Sequence, residues 1–283
     1  MTRRHLIIRS LGHYWRTNLA VLLGVVVGTA VIGGALIVGE SVRASLRQMT
    51  LDRLGRIDFV VSGPRFFREE LAAELLRQNI PAIPAIVMQA ALQSKAEGSS
   101  RRAGQLNVYG FDADAWSLIE TGDISRPIGT GVVLNAQAAA ALHAKVGDTV
   151  TLWIELPSAV PRDTLLGRKD NDSAEITLTV SAIARADDGL SRLGLNPTQA
   201  LPLNAFLDLH VLQERLGLEE VRPTKRDPTH KPARVNALLV SDPGSGDFAS
   251  ASKQADRLNA GLRSVASQDN SGVVNFAPTP ATP

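Results

Sequence analysis

Few residues have a type and spacing that could do chemistry. Asp112 and Asp114 flank an alanine, and Asp170 and Asp172 flank an asparagine, so each pair could open a cation-binding loop. A calcium loop also needs a later glycine and a bidentate glutamate, and neither pair has them. Asp112 is therefore expected to cap a short helix, and Asp170 with Asp172 to sit on a solvated loop. The histidines His5, His13, His143, His210 and His230 are scattered singly, which suits surface side chains better than metal ligands. No phosphate-cradling G-x-x-x-x-G-K-[ST], no G-x-G-x-x-G after a strand, no H-E-x-x-H and no G-x-S-x-G occurs. Catalytic, cofactor-binding and metal-ligating residues are expected to be none. The triplet Asn171-Asp172-Ser173 matches the glycosylation pattern, but so short a triplet occurs often by chance.

Composition excludes further classes. The formal charge is +2 and aromatic residues are 4% of the chain, so no basic, aromatic-studded surface for nucleic acid is expected. The pairs Arg101-Arg102 and Lys225-Arg226 read as solvated loop charges, able to meet anionic headgroups or an acidic partner face. The chain has no cysteine, hence neither disulfides nor thiolate metal sites. An apolar content of 44% is ample for a buried core.

The elements that position everything else begin with an uncharged run of 21 residues, Leu19 to Gly39. As a helix at about 1.5 Å per residue it spans roughly the hydrocarbon core of a bilayer. A cleaved signal would have a shorter apolar centre and an A-x-A-like site, whereas this run ends in VGESVRAS. The basic residues tie, with Arg3, Arg4, Arg9 and Arg16 before the run and Arg43, Arg47, Arg53 and Arg56 after it. Long domains translocate largely regardless of charge, so the N-terminus is placed in the cytoplasm and the main domain outside. The expected organisation is a basic cytoplasmic segment 1–18, a transmembrane helix 19–39 and a stalk helix 40–54. An extracytoplasmic domain over 55–270 and a disordered or truncated tail 271–283 follow.

On a helical wheel Ala20, Gly24, Gly28, Ala35 and Gly39 fall within a sector of about 100°, shared only with valines. Small-xxx-small spacing lets two backbones approach closely in lipid, which a plain anchor does not require. These five residues are the helix-packing candidates. Met49 and Leu54 are expected to be exposed on the stalk, as a dimer seam or against the domain.

The rest alternates strands and helices without a repeating βαβ rhythm, so the expected class is α+β in two subdomains. RIDFVVSG reads as a strand and PRFFREELAAELLRQN as an amphipathic helix. Two strands joined by an exposed turn are expected around IPAIPAIVMQAALQS and QLNVYG. GVVLNAQAAAALHAKVGDTVTLW gives a strand, an Asn-capped alanine-rich helix, a Gly-Asp turn and a strand. In EITLTVSAIA, Ile176, Leu178 and Val180 share the inner face. The stretch PSAVPRDTLLGRKDNDSA before it reads as an insertion at a hairpin tip. LPLNAFLDLHVLQERLGL is helical in spacing, VRPTKRDPTHKPAR is a loop, VNALLVSD a strand, and a last helix runs near Phe248 to Val265.

In order and spacing these segments resemble the N-terminal portion of MacB-like and FtsX-like permeases of ABC transport systems. The matching pieces are RSLGHYWRTNLAVLLGVVVGTAVIGGAL, NVYGFDADAWSL, VVLNAQAAAALHAKVGDTVTL, LPLNAFLDLHVLQERLG and VNALLV. The resemblance implies a MacB-like periplasmic core domain in the cell (inner) membrane and a noncatalytic permease component. Its expected partners are membrane lipid, a cytoplasmic ABC ATPase subunit and a second copy or paired permease, with no nucleic acid and no cofactor. Motion would pass between the ATPase and the outer domain for export or for lipoprotein or peptide handling. No second apolar run of about 20 residues follows, so a truncated or split permease is expected. The alternatives are a single-pass anchored binding or assembly module, and an anchored enzyme for which no nucleophile, base and orienter come together.

Overall fold

The computed structural model describes residues 9, 12–96, 99–155, 173–195, 201–223, 230–241, 248–268 and 279–280. Contacts divide the chain into two compact units, residues 1–50 and residues 51–282. The Asp170–Asp172 pair, the Asn171 triplet, most of the PSAVPRDTLLGRKDNDSA insertion and the Lys225-Arg226 pair lie outside the described residues.

A single helix, α1 (Trp15–Leu54), takes in both segments that the sequence divides into transmembrane helix and stalk. It contains no proline. The Thr29 hydroxyl, which would otherwise meet an apolar surround, donates back to the carbonyls of Val25 and Val26 at 2.9 and 3.0 Å. Leucine, valine and isoleucine side chains from Leu19 to Val38 are exposed all round. The helix stops at Gly55, whose φ of +63° is left-handed and whose absent Cβ would sit 3.0 Å from the Leu118 carbonyl. Leu54, expected either at a dimer seam or packed on the domain, is 5% exposed and belongs to the core of the second unit.

In residues 51–282 the chain runs β1 (Phe59–Arg68), α2 (Glu70–Arg77), β2 (Ala82–Ala96), β3 (Ser99–Phe111), α3 (Ala113–Ser117), β4 (Gly131–Leu134), α4 (Ala136–Leu142) and β5 (Thr149–Glu155). It continues through β6 (Ser173–Ile183), α5 (Gly189–Arg192), β7 (Asn204–Asp208), α6 (Leu209–Leu216), β8 (Arg234–Val240), α7 (Phe248–Gln268) and the two-residue β9 (Thr279–Pro280). The class is α+β, as the sequence predicts.

Six strands close on themselves in the order β3-β7-β4-β6-β5-β2, with β2 pairing back to β3. Two of these pairings, β3 with β7 and β4 with β6, are parallel. Closure requires curvature, and the β2–β3 hairpin supplies it through a bulge between Ala90 and Leu92. Opposite that bulge Gln105 takes a φ of +55°. Inside the barrel Leu92, Leu106, Leu152, Ile176 and Leu178 pack together, and Ala138 and Leu142 of α4 pack against them. Small alanines on α4 let the helix lie close to the strand ends.

Strand β2 leaves the barrel at its N-terminal end. Ala82–Ala85 pair with β8, and β8 pairs with β1, so a second sheet grows from the same strand. One face of this sheet buries Phe59, Val61, Leu238 and Val240 against Leu71 and Leu75 of α2 and Leu258 and Leu262 of α7. The outward face of the β3-β7-β4 wall carries Tyr109, Phe111 and Phe206, with Trp116 of α3 edge-on to Phe206 at 5.9 Å. Tyr109 and Phe206 stack at 5.2 Å.

The barrel and the second sheet share strand β2 within one compact unit. Two expectations are corrected here. PRFFR is not the start of a helix: Phe67 and Arg68 pair with Val235 and Arg234, and Pro64 lies in the irregular stretch of β1 where no ladder bond is lost. NAFLD is strand β7, and only Leu209–Leu216 is helical. Asn204–Asp208 are buried on both sheet faces, so the alternation that marks a half-exposed strand is absent.

Candidate functional site

The predicted packing residues Ala20, Gly24, Gly28, Ala35 and Gly39 all lie on α1 and all are exposed. Among the described residues nothing lies within 4 Å of where a Cβ would stand at Gly24, Gly28 and Gly39. Neither aspartate of Asp112-Ala-Asp114 is set up as a cation ligand. Asp112 is the N-cap of α3, its Oδ1 accepting from the Ala115 N–H at 2.8 Å, and Asp114 is exposed in the first turn. Asn135 caps α4 as expected, its Oδ1 accepting from the Ala138 N–H at 2.9 Å.

A cleft of about 760 Å³ opens in the second unit between α2, α3 and α6. Its floor is apolar, from Ala72, Ala73 and Leu76 of α2, Pro84 of β2 and Val211 of α6. Leu76 leaves 60% of its surface exposed there, whereas Leu71 and Leu75 on the same helix are buried. Around this floor stand Glu69, Glu70, Asp112, Asp114, Glu214, Glu219 and Glu220, with no lysine or arginine among the described lining residues.

Gln213 fixes the cleft's width. It is 2% exposed, and its Nε2 donates to Glu69 Oε2 at 2.7 Å and to the Arg234 carbonyl at 3.2 Å, tying α6 to α2 and β8. Both neighbours are acceptors, so the amide nitrogen must face them and the oxygen must take the other side. Glu69 is held from the backbone too, its N–H donating to the Ala233 carbonyl at 2.8 Å.

The electrostatics follow from crowding and burial. Partial burial raises the Asp112 carboxyl above its ordinary value; the Ala115 N–H offsets this in part, and the charges of Asp114 and Glu69 add to the rise. At the outer lip Glu220 is held below the usual range, chiefly by its hydrogen bond with His230 and then by Arg222. The phenol of Tyr109, behind this wall, is pushed far above its usual value by burial, with the backbone at Leu195 opposing.

The cleft is invisible in the sequence because its acids come from segments up to about 150 residues apart and none forms a local motif. Asp112 and Asp114 do appear in the sequence reading, as a cap and its neighbour. That they face Glu69, Glu70 and Glu214 is a product of the β2–β8 and β3–β7 pairings.

One apolar helix is long enough to cross a bilayer, and a folded α+β barrel unit follows it in the chain. A sequence profile of the MacB-like periplasmic core domain matches residues 19–243, and the chain belongs to that family, one of ABC transporter permease components. Among solved structures it is similar to the periplasmic region of MacB from Actinobacillus actinomycetemcomitans, at 13% identity and a TM-score of 0.45, over 82% of this chain and 92% of that one. It is also similar to the extracellular domain of the noncanonic ABC-type transporter YknZ from Gram-positive bacteria. There the identity is 9% and the TM-score 0.39, over 73% of this chain and 94% of that one. No curated protein is significantly similar to the chain.

Proposed function

We propose that the chain is a noncatalytic permease component of an ABC transport system, carrying motion between a cytoplasmic ATPase and its outer domain for export or for lipoprotein or peptide handling. The observation that carries this reading is the family match, which runs from residue 19 in the apolar helix to residue 243, just past β8. The continuity of α1 over 40 residues supports it, since a helix without a break transmits displacement along its axis. In this reading the N-terminal arginines face the cytoplasm in the inner membrane and the barrel unit lies outside. The small-residue face of α1 packs against a second copy or a paired permease within the lipid. Segments 1–18, 19–39, 40–54, 55–270 and 271–283 are then the working divisions of the chain.

The experiment is a Gly-Pro insertion after Ala44, made in the intact transport system. Proline removes a helical hydrogen bond and clashes with the preceding turn, so the insertion breaks α1 without touching the barrel. The expected result is a folded protein that still co-purifies with a P-loop ATPase and has lost transport. Unchanged transport, or extraction from the membrane with no ATPase attached, rejects the reading.

A further inference from the structure

The acidic cleft has an occupant that its chemistry specifies. Apart from His210 and Gln213, the polar side chains that line it are carboxylates, and those of Glu70, Asp114 and Glu214 are exposed and have no ion pair among the described residues. Gln213, 2% exposed, spends its amide protons on Glu69 and the Arg234 carbonyl and so offers no donor to the cleft. Among the described residues no three carboxylate or imidazole groups are gathered closely enough to hold a metal ion. A small free amine would satisfy the acceptors and leave Leu76, Ala73 and Val211 in water.

We propose that the cleft is a docking groove for a basic, amphipathic helical segment of a partner protein. Its lysine or arginine side chains bond the carboxylates, and its apolar side lies on Leu76, Ala73, Pro84 and Val211. Charge complementarity sets the sign of the partner, and the exposed Leu76 on an acid-rimmed floor sets its amphipathic character. The cleft volume of about 760 Å³ suits one or two turns of helix, larger than a single side chain requires. Burial is the chief cause of the raised Asp112 carboxyl and the charges of Asp114 and Glu69 add to it; a basic segment in place would offset that added part. This inference concerns the second unit alone and stands whether or not the chain couples to an ATPase.

The test uses the whole chain in lipid nanodiscs and a fluorescent 14-residue peptide of leucine and lysine spaced so that one helical face is apolar. The comparison peptide has the same composition in shuffled order. Neutralising the groove with Glu70→Gln, Asp114→Asn and Glu214→Gln together should weaken binding roughly tenfold, three partly screened pairs being lost. The charge-matched control, Asp123→Asn, Glu175→Gln and Asp256→Asn, alters exposed acids outside the cleft and should change it by less than about twofold. Leu76→Ser should weaken binding about threefold or more through lost apolar contact, and the shuffled peptide should bind correspondingly less well. Thermal melts matching the native chain show that these surface variants fold. Equal loss in the groove and control variants, equal binding of the two peptides, or insensitivity to Leu76→Ser would each overturn the proposal. So would a change in self-association in place of peptide binding, which would assign the cleft to a second copy.

Discussion

Asn135 and Asn204 hold each other across the end of the barrel: the Asn204 N–H donates to Asn135 Oδ1 at 3.0 Å, and the Asn135 N–H donates to the Asn204 carbonyl at 3.1 Å. Both are fully buried. Asn135 Nδ2 donates to the Pro202 carbonyl at 2.7 Å, while Asn204 Nδ2 donates to the carbonyls of Leu190 and Leu193 at 3.1 and 2.7 Å. One pair of side chains thus satisfies the α4 N-terminus and the turn through α5, neither of which has a ladder partner. Asn204→Ala orphans two buried carbonyls and is expected to cost about 2–4 kcal/mol. By thermal denaturation that is a fall in Tm of roughly 5–15 °C for a domain of this size. Asn135→Asp keeps the cap acceptor but sets an oxygen against the Pro202 carbonyl and buries a charge. It should be destabilised at pH 7 at least as much as Asn135→Ala and recover part of that loss as acid protonates the new carboxyl.

Close backbone approach, more than left-handed geometry, makes one glycine indispensable. A Cβ on Gly189 would lie 2.7 Å from the Glu120 carbonyl oxygen and 3.2 Å from the Glu120 nitrogen, both main-chain atoms that cannot rotate aside. The Gly189 N–H also donates to that carbonyl at 3.0 Å. Gly189→Ala is expected to cost about 2–3 kcal/mol by forcing the chain segments apart. Gly104 on β3 has nothing within 4 Å of its would-be Cβ, and Gly104→Ala should be neutral or stabilising by up to about 1 kcal/mol. Urea unfolding of the two variants side by side measures the contrast.

Asp112 makes stability depend on pH in a defined direction. Its carboxyl is raised above the ordinary aspartate value of 3.8, so the folded protein holds this proton more tightly than the unfolded chain does. The contribution to stability is complete below 3.8 and disappears as pH rises through the folded value. Asp112→Asn keeps an acceptor for the Ala115 N–H and removes the charge beside Asp114 and Glu69. The variant should therefore melt higher than the native chain at pH 7, with the difference shrinking to nothing as pH falls below 3.8. A variant that melts lower at pH 7 would show that the charge helps α3 more than burial harms it.

What the sequence made legible was local. Ile176, Leu178 and Val180 line the barrel interior because a half-exposed strand alternates, and Asn135 and Asp112 cap their helices because an Asx side chain reaches the third amide on. What it hid was decided by distant partners. β7 reads as helix because sheet neighbours on one face and Trp116 with its aromatic cluster on the other bury every residue of NAFLD. PRFFR becomes strand because β8, some 170 residues later, supplies the ladder for Phe67 and Arg68. The cleft needs α2, α3 and α6 to converge, which no periodicity in any one of them encodes.

The small face of α1 yields the sharpest test of assembly. Gly24 and Gly28 are one turn apart on the helix, with open space over each, and Leu23 lies outside that sector. If two helices pack through this face, backbone contact at the glycines is what holds them, and an isobutyl group there forces them apart. Gly24→Leu and Gly28→Leu should each weaken self-association in detergent or bilayer by about 1–2 kcal/mol, roughly five- to thirtyfold in the dissociation constant. Leu23→Ala removes more apolar surface yet should leave association unchanged, because lipid tails replace the lost contacts. The measurement is energy transfer between labelled chains at fixed lipid-to-protein ratio. Equal effects at all three positions would mean that the helix has no preferred face and that lipid alone surrounds it.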